Sequence, residues 1–117
     1  MKLCGFIVAL CVFFFAGLAF AGSTVGPRSH KDTVAPFGAD KYALVFRGDE
    51  PAYIEVEGDG RSDLDCYAYD EGGNLVALDN RTNDHCFVRW TPRKTGSFTL
   101  VIRNRSARPN NYRVFVN

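Results

Sequence analysis

The stretch Leu64-Asp65-Cys66-Tyr67-Ala68-Tyr69-Asp70-Glu71-Gly72-Gly73-Asn74-Leu75-Val76-Ala77-Leu78 decides how this chain folds. Its first six residues alternate, with Leu64, Cys66 and Ala68 on one side and Asp65, Tyr67 and Tyr69 on the other. Side chains that change sides at every step belong to an extended strand with one face buried. Residues 70–74 read as a tight turn, because two adjacent glycines admit positive φ at little cost. Residues 75–78 return as the second arm of a hairpin.

The same texture runs outward from this hairpin. Residues 42–47 and 52–57 precede it, the latter with Ala52, Ile54 and Val56 opposite Tyr53, Glu55 and Glu57. After a polar loop at 79–84, residues 85–90 alternate again, and further runs at 97–103 and 112–116 follow turns rich in Pro, Gly, Asn and Arg. That is about seven strands in residues 40–117, with no helical spacing anywhere. Such a series predicts one all-β domain, an antiparallel sandwich or jelly roll whose two sheets share a core.

Upstream the pattern stops. Residues 22–39 hold Gly, Ser, Thr, Pro and charge without an apolar period, and are expected to form a flexible leader or tether. Residues 1–21 have the three parts of a cleavable export signal: the charge of Lys2, an apolar run over residues 3–20, and the small-x-small end Ala19-Phe20-Ala21. The run is also long enough for a membrane anchor. Small residues crowd its end, however, and no basic cluster follows at once. Cleavage after Ala21 is therefore expected, leaving a secreted or periplasmic protein without a stable membrane anchor.

The whole chain carries 14 basic and 13 acidic residues. Only Lys2 leaves with the signal, so the exported form is balanced and has no general attraction for nucleic acid or an anionic membrane. The distribution is less even. Acids crowd residues 49–71, where Arg61 is the lone base, and from Arg89 onward there are bases and no acid. Oppositely charged strands lying side by side are the expectation, ahead of a two-faced or self-pairing surface.

Of four cysteines, Cys4 and Cys11 fall in the signal, and Cys66 and Cys86 remain. Both sit on core-facing positions, Cys86 beside Val88 and Trp90, so they are either a bridge or two buried thiols. Export to an oxidising compartment favours the bridge. It would close a loop of about 20 residues and stabilise the fold by roughly 3 kcal/mol.

Several short motifs then share one likeness. The segments Ser62-Asp63-Leu64-Asp65-Cys66-Tyr67-Ala68-Tyr69-Asp70, Gly73-Asn74-Leu75-Val76, Asn83-Asp84-His85-Cys86, Trp90-Thr91-Pro92 and Thr95-Gly96-Ser97-Phe98 together resemble the bacterial pre-peptidase C-terminal domain over residues 41–116. The resemblance implies a jelly-roll sandwich. Members of that family are usually appended to secreted peptidases, where they are trimmed off or help engage substrate, and the related collagen-binding modules bind calcium. Here no peptidase accompanies the segment, so roles that need a catalytic neighbour are not implied. Cys66 also stands where the family commonly has an aliphatic residue, which implies a rearranged disulfide.

Two constellations are candidate sites. Asp63 and Asp65, two apart on a strand, point the same way, and Asp59 or Asp84 from nearby loops would complete an oxygen shell for Ca²⁺. The alternative is that these aspartates cap turns and pair with the basic strands. Tyr53, Tyr67 and Tyr69, together with Tyr42, are expected on the outer face of one sheet, where flat rings grip sugars or extended polypeptide. Cross-strand aromatic pairs that merely stabilise the sheet are the competing reading.

Catalysis finds little support. His30 lies in the leader, and His85 next to Cys86 makes a nucleophile only if the thiol is free. No phosphate loop or paired metal-ligand spacing occurs. The triplets at Asn80 and Asn104 are glycan acceptors only in a eukaryotic secretory route. The expectation is a non-catalytic module that binds a protein or polysaccharide, with an inhibitor or accessory protein of a hydrolase as the alternative.

Overall fold

Every second side chain is buried in the central strands, and the pattern sorts the chain into two layers. The computed structural model describes residues 22–117; the expected signal peptide, with Cys4 and Cys11, lies outside the described residues. Eight strands follow one another: β1 (Arg28–Val34), β2 (Ala39–Phe46), β3 (Ala52–Glu57), β4 (Leu64–Tyr69), β5 (Leu75–Asp79), β6 (His85–Trp90), β7 (Gly96–Asn104) and β8 (Asn110–Val116). Antiparallel pairing arranges them as β1-β8-β3-β6 and β2-β7-β4-β5. Each sheet interleaves early and late strands, as two facing sheets of a jelly roll do. The expected all-β sandwich is what forms, with eight strands instead of seven.

Ile54, Val56, Val88 and Val114 of the first sheet meet Leu44, Phe46, Leu64, Leu100 and Ile102 of the second in one core. Trp90 was expected inside. It lies half-buried at the core's margin, its ring 5.0 Å from Phe46 and 5.2 Å from Phe98. The turn after β4 is closed by Gly73, whose φ of 82° an L side chain adopts only under strain. Acidic and basic strands do lie together: Glu57 pairs with Arg113, and Asp65 with Arg103.

The leader is the main correction. Residues 28–34 form β1, paired along its whole length with β8. Ser23 is buried and bridges to Phe46, while its amide donates to the Asn117 carbonyl. Six of the seven β1 residues are exposed and only Val34 enters the core. A strand that contributes backbone pairing and one apolar side chain leaves no alternating signature. Its charges also suit an edge that must not recruit another strand.

The two long edges of the sandwich are held differently. At one, the disulfide Cys66–Cys86 joins β4 to β6 across the layers, with Cα atoms 6.2 Å apart. Beside it the Asp79 carboxylate at the end of β5 accepts from the Phe87 amide of β6 and is held by Arg81 at 2.6 Å and 2.9 Å. The Arg81 guanidinium and these amides hold the Asp79 carboxyl well down, at about 2. At the other edge Tyr112 of β8 donates to Asp40 of β2 at 2.6 Å and is hydrogen-bonded to Tyr42. Burial, then the Asp40 hydrogen bond, pushes the Tyr112 phenol far above the ordinary tyrosine range. Tyr42 thus shares the inward parity of Leu44 and Phe46 and is not on an outer face.

Two outcomes are expected. Replacing both Cys66 and Cys86 by Ala lowers the unfolding free energy by about 3 kcal/mol, read from urea melts, because a 20-residue loop is freed in the unfolded chain. Asp79 has a folded pKa below its ordinary value of 3.8, so its contribution is complete above that value and disappears as pH falls toward about 2. Thermal melts between pH 5 and pH 2 should therefore show an acid-labile limb that Asp79→Asn flattens.

Candidate functional site

The four aspartates expected to hold calcium divide their work. Asp59 accepts from the amides of Arg61 and Asn111, and Asp84 from the Gly60 amide and the Asn110 side chain. Both carboxylates thereby tie the loop before β4 to the start of β8. Burial works against the Asp59 charge, but the donating amides of Asn111 and Arg61 outweigh it and lower its pKa. Asp63 and Asp65 stay together on β4 and its lead-in. Each keeps one buried carboxylate oxygen without a partner, and Arg105 approaches Asp65 at 3.8 Å. Burial, then repulsion from Asp65, raises the Asp63 pKa. Among the described residues no three His, Cys, Asp or Glu side chains converge, so the four-aspartate shell is not assembled.

The tyrosines divide as well. Tyr53 lies on β3 in the first sheet, whereas Tyr67 and Tyr69 lie on β4 in the second. The order in which strands pair is a long-range property, which alternation along a single strand does not carry. The outer face of the first sheet gathers Tyr53, Phe87 and Phe115, the last two missed by sequence reasoning. Each of these rings has an arginine near it, although Phe87 stays 43% exposed. Arg89 lies 5.5 Å from the Tyr53 centroid, Arg81 5.8 Å from Phe87 and Arg113 5.8 Å from Phe115. His85 closes on Glu55 at 2.6 Å. Charged side chains are thus interspersed with the rings of this face.

The outer face of the second sheet exposes more aliphatic surface. Register places Lys41, Val101, Tyr67 and Leu78 in one row, and Ala43, Thr99, Tyr69 and Leu75 in the next. The Tyr67 and Tyr69 rings stack on each other at 6.4 Å. Val45, Leu75 and Leu78 are 45%, 47% and 44% exposed, and all three lie on this face. Leu75 and Leu78 share it despite their odd spacing because the pairing register shifts between Ala68 and Tyr69. An irregularity of this kind breaks the period of two, which is why the sequence pattern misses the pair. Burial, then the Asp65 charge, raises the Tyr67 phenol, which donates to Asp65 at 3.3 Å.

Cys86, bonded to Cys66, is no free nucleophile. Solved structures carry the same fold. The chain is similar to the pre-peptidase C-terminal domain of a collagenase from Bacillus anthracis, at 15% identity and a TM-score of 0.61, covering 77% of this chain and 88% of that one. It is also similar to PliG of Aeromonas hydrophila, a periplasmic lysozyme inhibitor of g-type lysozyme, at 12% identity and a TM-score of 0.58, covering 78% and 84%. A third is the Yersinia pseudotuberculosis-derived mitogen, at 13% identity and a TM-score of 0.51, covering 79% and 85%. The likeness read from the motifs therefore holds for the fold. No family model matches the chain, and no curated protein does.

The raised Asp63 pKa makes its charge a cost to the fold at neutral pH, because an acid whose folded pKa is raised loses stability as pH rises. Asp63→Asn should raise the melting temperature at pH 7, and the advantage should vanish below about pH 4, where Asp63 is protonated in the folded and the unfolded chain alike.

Proposed function

We propose that this protein is an exported, non-catalytic module that binds another protein through the outer face of β2, β7, β4 and β5. The observation that carries the reading is the exposure of Leu75 and Leu78 beside the stacked Tyr67 and Tyr69, with Val45 further along the same face. Large apolar side chains held in water on one rigid sheet bring no return to the fold, and clusters of this kind mark interaction sites. Leu and Val offer no hydrogen bonds to a glycan, so a polypeptide suits the centre of the patch better than a polysaccharide. Lys41 and Arg103 at its margin supply a polar rim. The disulfide agrees with an oxidising compartment outside the cytoplasm.

A second reading is an inhibitor or accessory protein of a hydrolase. The A. hydrophila lysozyme inhibitor shares the fold, and one end of this sandwich carries a protruding apolar turn. Deleting residues 22–39 does not separate the readings, since that segment contains β1 and buries Ser23 and Val34.

Affinity capture from the envelope of producing cells, then calorimetry with the purified captured protein, tests the sheet-face reading. Tyr67→Ala with Tyr69→Ala should weaken binding by 30-fold or more, since truncated aromatic anchors commonly cost about 2 kcal/mol. The melting temperature should fall by only a few degrees. Unchanged affinity in that double variant would remove the sheet face as the site.

A further inference from the structure

The turn between β1 and β2 places an aromatic residue where a glycine belongs. Ala35-Pro36-Phe37-Gly38 is closed by the Gly38 amide donating to the Ala35 carbonyl at 2.9 Å. Pro36 occupies the position that favours proline, and Phe37 the next one, with φ of +54°. That is the pattern of a type II turn, whose third residue is normally Gly or Asn. A phenylalanine there strains the backbone. The ring itself adds no packing to the fold, because Phe37 is 67% exposed.

The turn is also held rigidly. The Phe37 amide donates to the Ser106 carbonyl at 3.0 Å, and the Asn104 amide to the Gly38 carbonyl at 2.9 Å. Asn104, 1% exposed and so no glycan acceptor, donates from its side chain to the Arg108 carbonyl at 2.6 Å and accepts from the Ser106 amide at 3.0 Å. The loop between β7 and β8 is thereby fixed beside the turn. Exposed Ala35, Pro36 and Phe37 stand next to exposed Arg105, Ala107 and Arg108. Neither loop contains an acid.

We infer that Phe37 is an anchor that inserts into a partner protein's apolar cleft whose rim carries carboxylates, with Arg108 meeting those carboxylates while Arg105 stays beside Asp65 at 3.8 Å. Strain held by the surrounding hydrogen bonds for the sake of a ring that packs nothing is a mark of a functional position. A rigid aromatic with a flanking arginine is the usual make-up of a binding hot spot. An anionic lipid surface fits less well, since one exposed ring offers a bilayer little apolar area to bury, whereas a cleft needs only one. The inference rests on the reading of the chain as a protein-binding module, but it uses a different surface from Tyr67 and Tyr69.

Three measurements test it together. First, Phe37→Gly should leave the melting temperature unchanged or raise it by about 2–5 °C, because glycine accepts the turn freely; a fall would mean the ring supports the fold, and would overturn the inference. Second, the protein carrying p-benzoylphenylalanine at position 37 is irradiated with the envelope fraction of producing cells, with the same label at Lys31 as control. An adduct specific to position 37, mapped to a peptide beside Asp or Glu, is expected. Equal yields at both positions, or an adduct remote from any carboxylate, count against it. Third, the captured protein, once purified, should bind Phe37→Gly at least 30-fold more weakly, and Arg108→Glu about 5-fold more weakly. Equal affinities, or Phe37-dependent flotation with phosphatidylglycerol vesicles, would overturn it. Loss of binding in the Tyr67/Tyr69 variant with full binding in Phe37→Gly sinks this inference and leaves the sheet-face reading intact; the opposite result does the reverse.

Discussion

Successive side chains on a strand must leave from opposite faces, and in β4 this one constraint sets both the core and the surface. Leu64, Cys66 and Ala68 fill the space between the sheets, so Asp65, Tyr67 and Tyr69 are driven outward. A slip of one residue in the pairing of β4 with β7 would expose Cys66 and bury two tyrosines. The disulfide then locks that choice, because only the correct register brings Cys66 to Cys86 across the layers. Stability and the exposed aromatic patch are therefore two results of one geometric commitment.

How much of this was legible in the sequence follows from what each strand buries. β3, β4 and β6 each set a run of apolar side chains against the core, and their alternation announced them within a residue or so of their true ends. β1 buries only Val34, so its seven residues looked like tether. Tyr67 and Tyr69 were readable as outward neighbours because they share a strand. Tyr53 was assigned to their company wrongly, since which strands become neighbours is decided by contacts far apart in the chain. The Leu75 and Leu78 pair was hidden by a register shift. Phe37 did carry a signal, a proline followed by a bulky residue and then glycine, but its meaning depends on a φ angle that composition does not give.

The two edges divide labour in a way that suits a small domain. A core of this size gives a thin margin of stability. One edge is closed covalently and by the Asp79 carboxylate; the other relies on the Tyr112, Tyr42 and Asp40 hydrogen bonds over an apolar seam lined by Leu44, Val114 and Val116. The first edge stands beside the tyrosine-bearing face, so the strands that present Tyr67, Tyr69, Leu75 and Leu78 are the ones most firmly fixed.

The contact between Ser23 and Asn117 has a consequence for how the domain is presented. Entry and exit of the folded chain coincide at one pole, next to the end of β2, while the β1–β2 turn lies at the opposite pole. Any cargo joined before Gly22 or after Asn117 would hang from the same point, like a handle, and would leave the far pole unobstructed. Linking residue 117 to residue 22 and reopening the chain in the loop between β5 and β6, which lies at that far pole, would turn the handle around without redrawing the sheets.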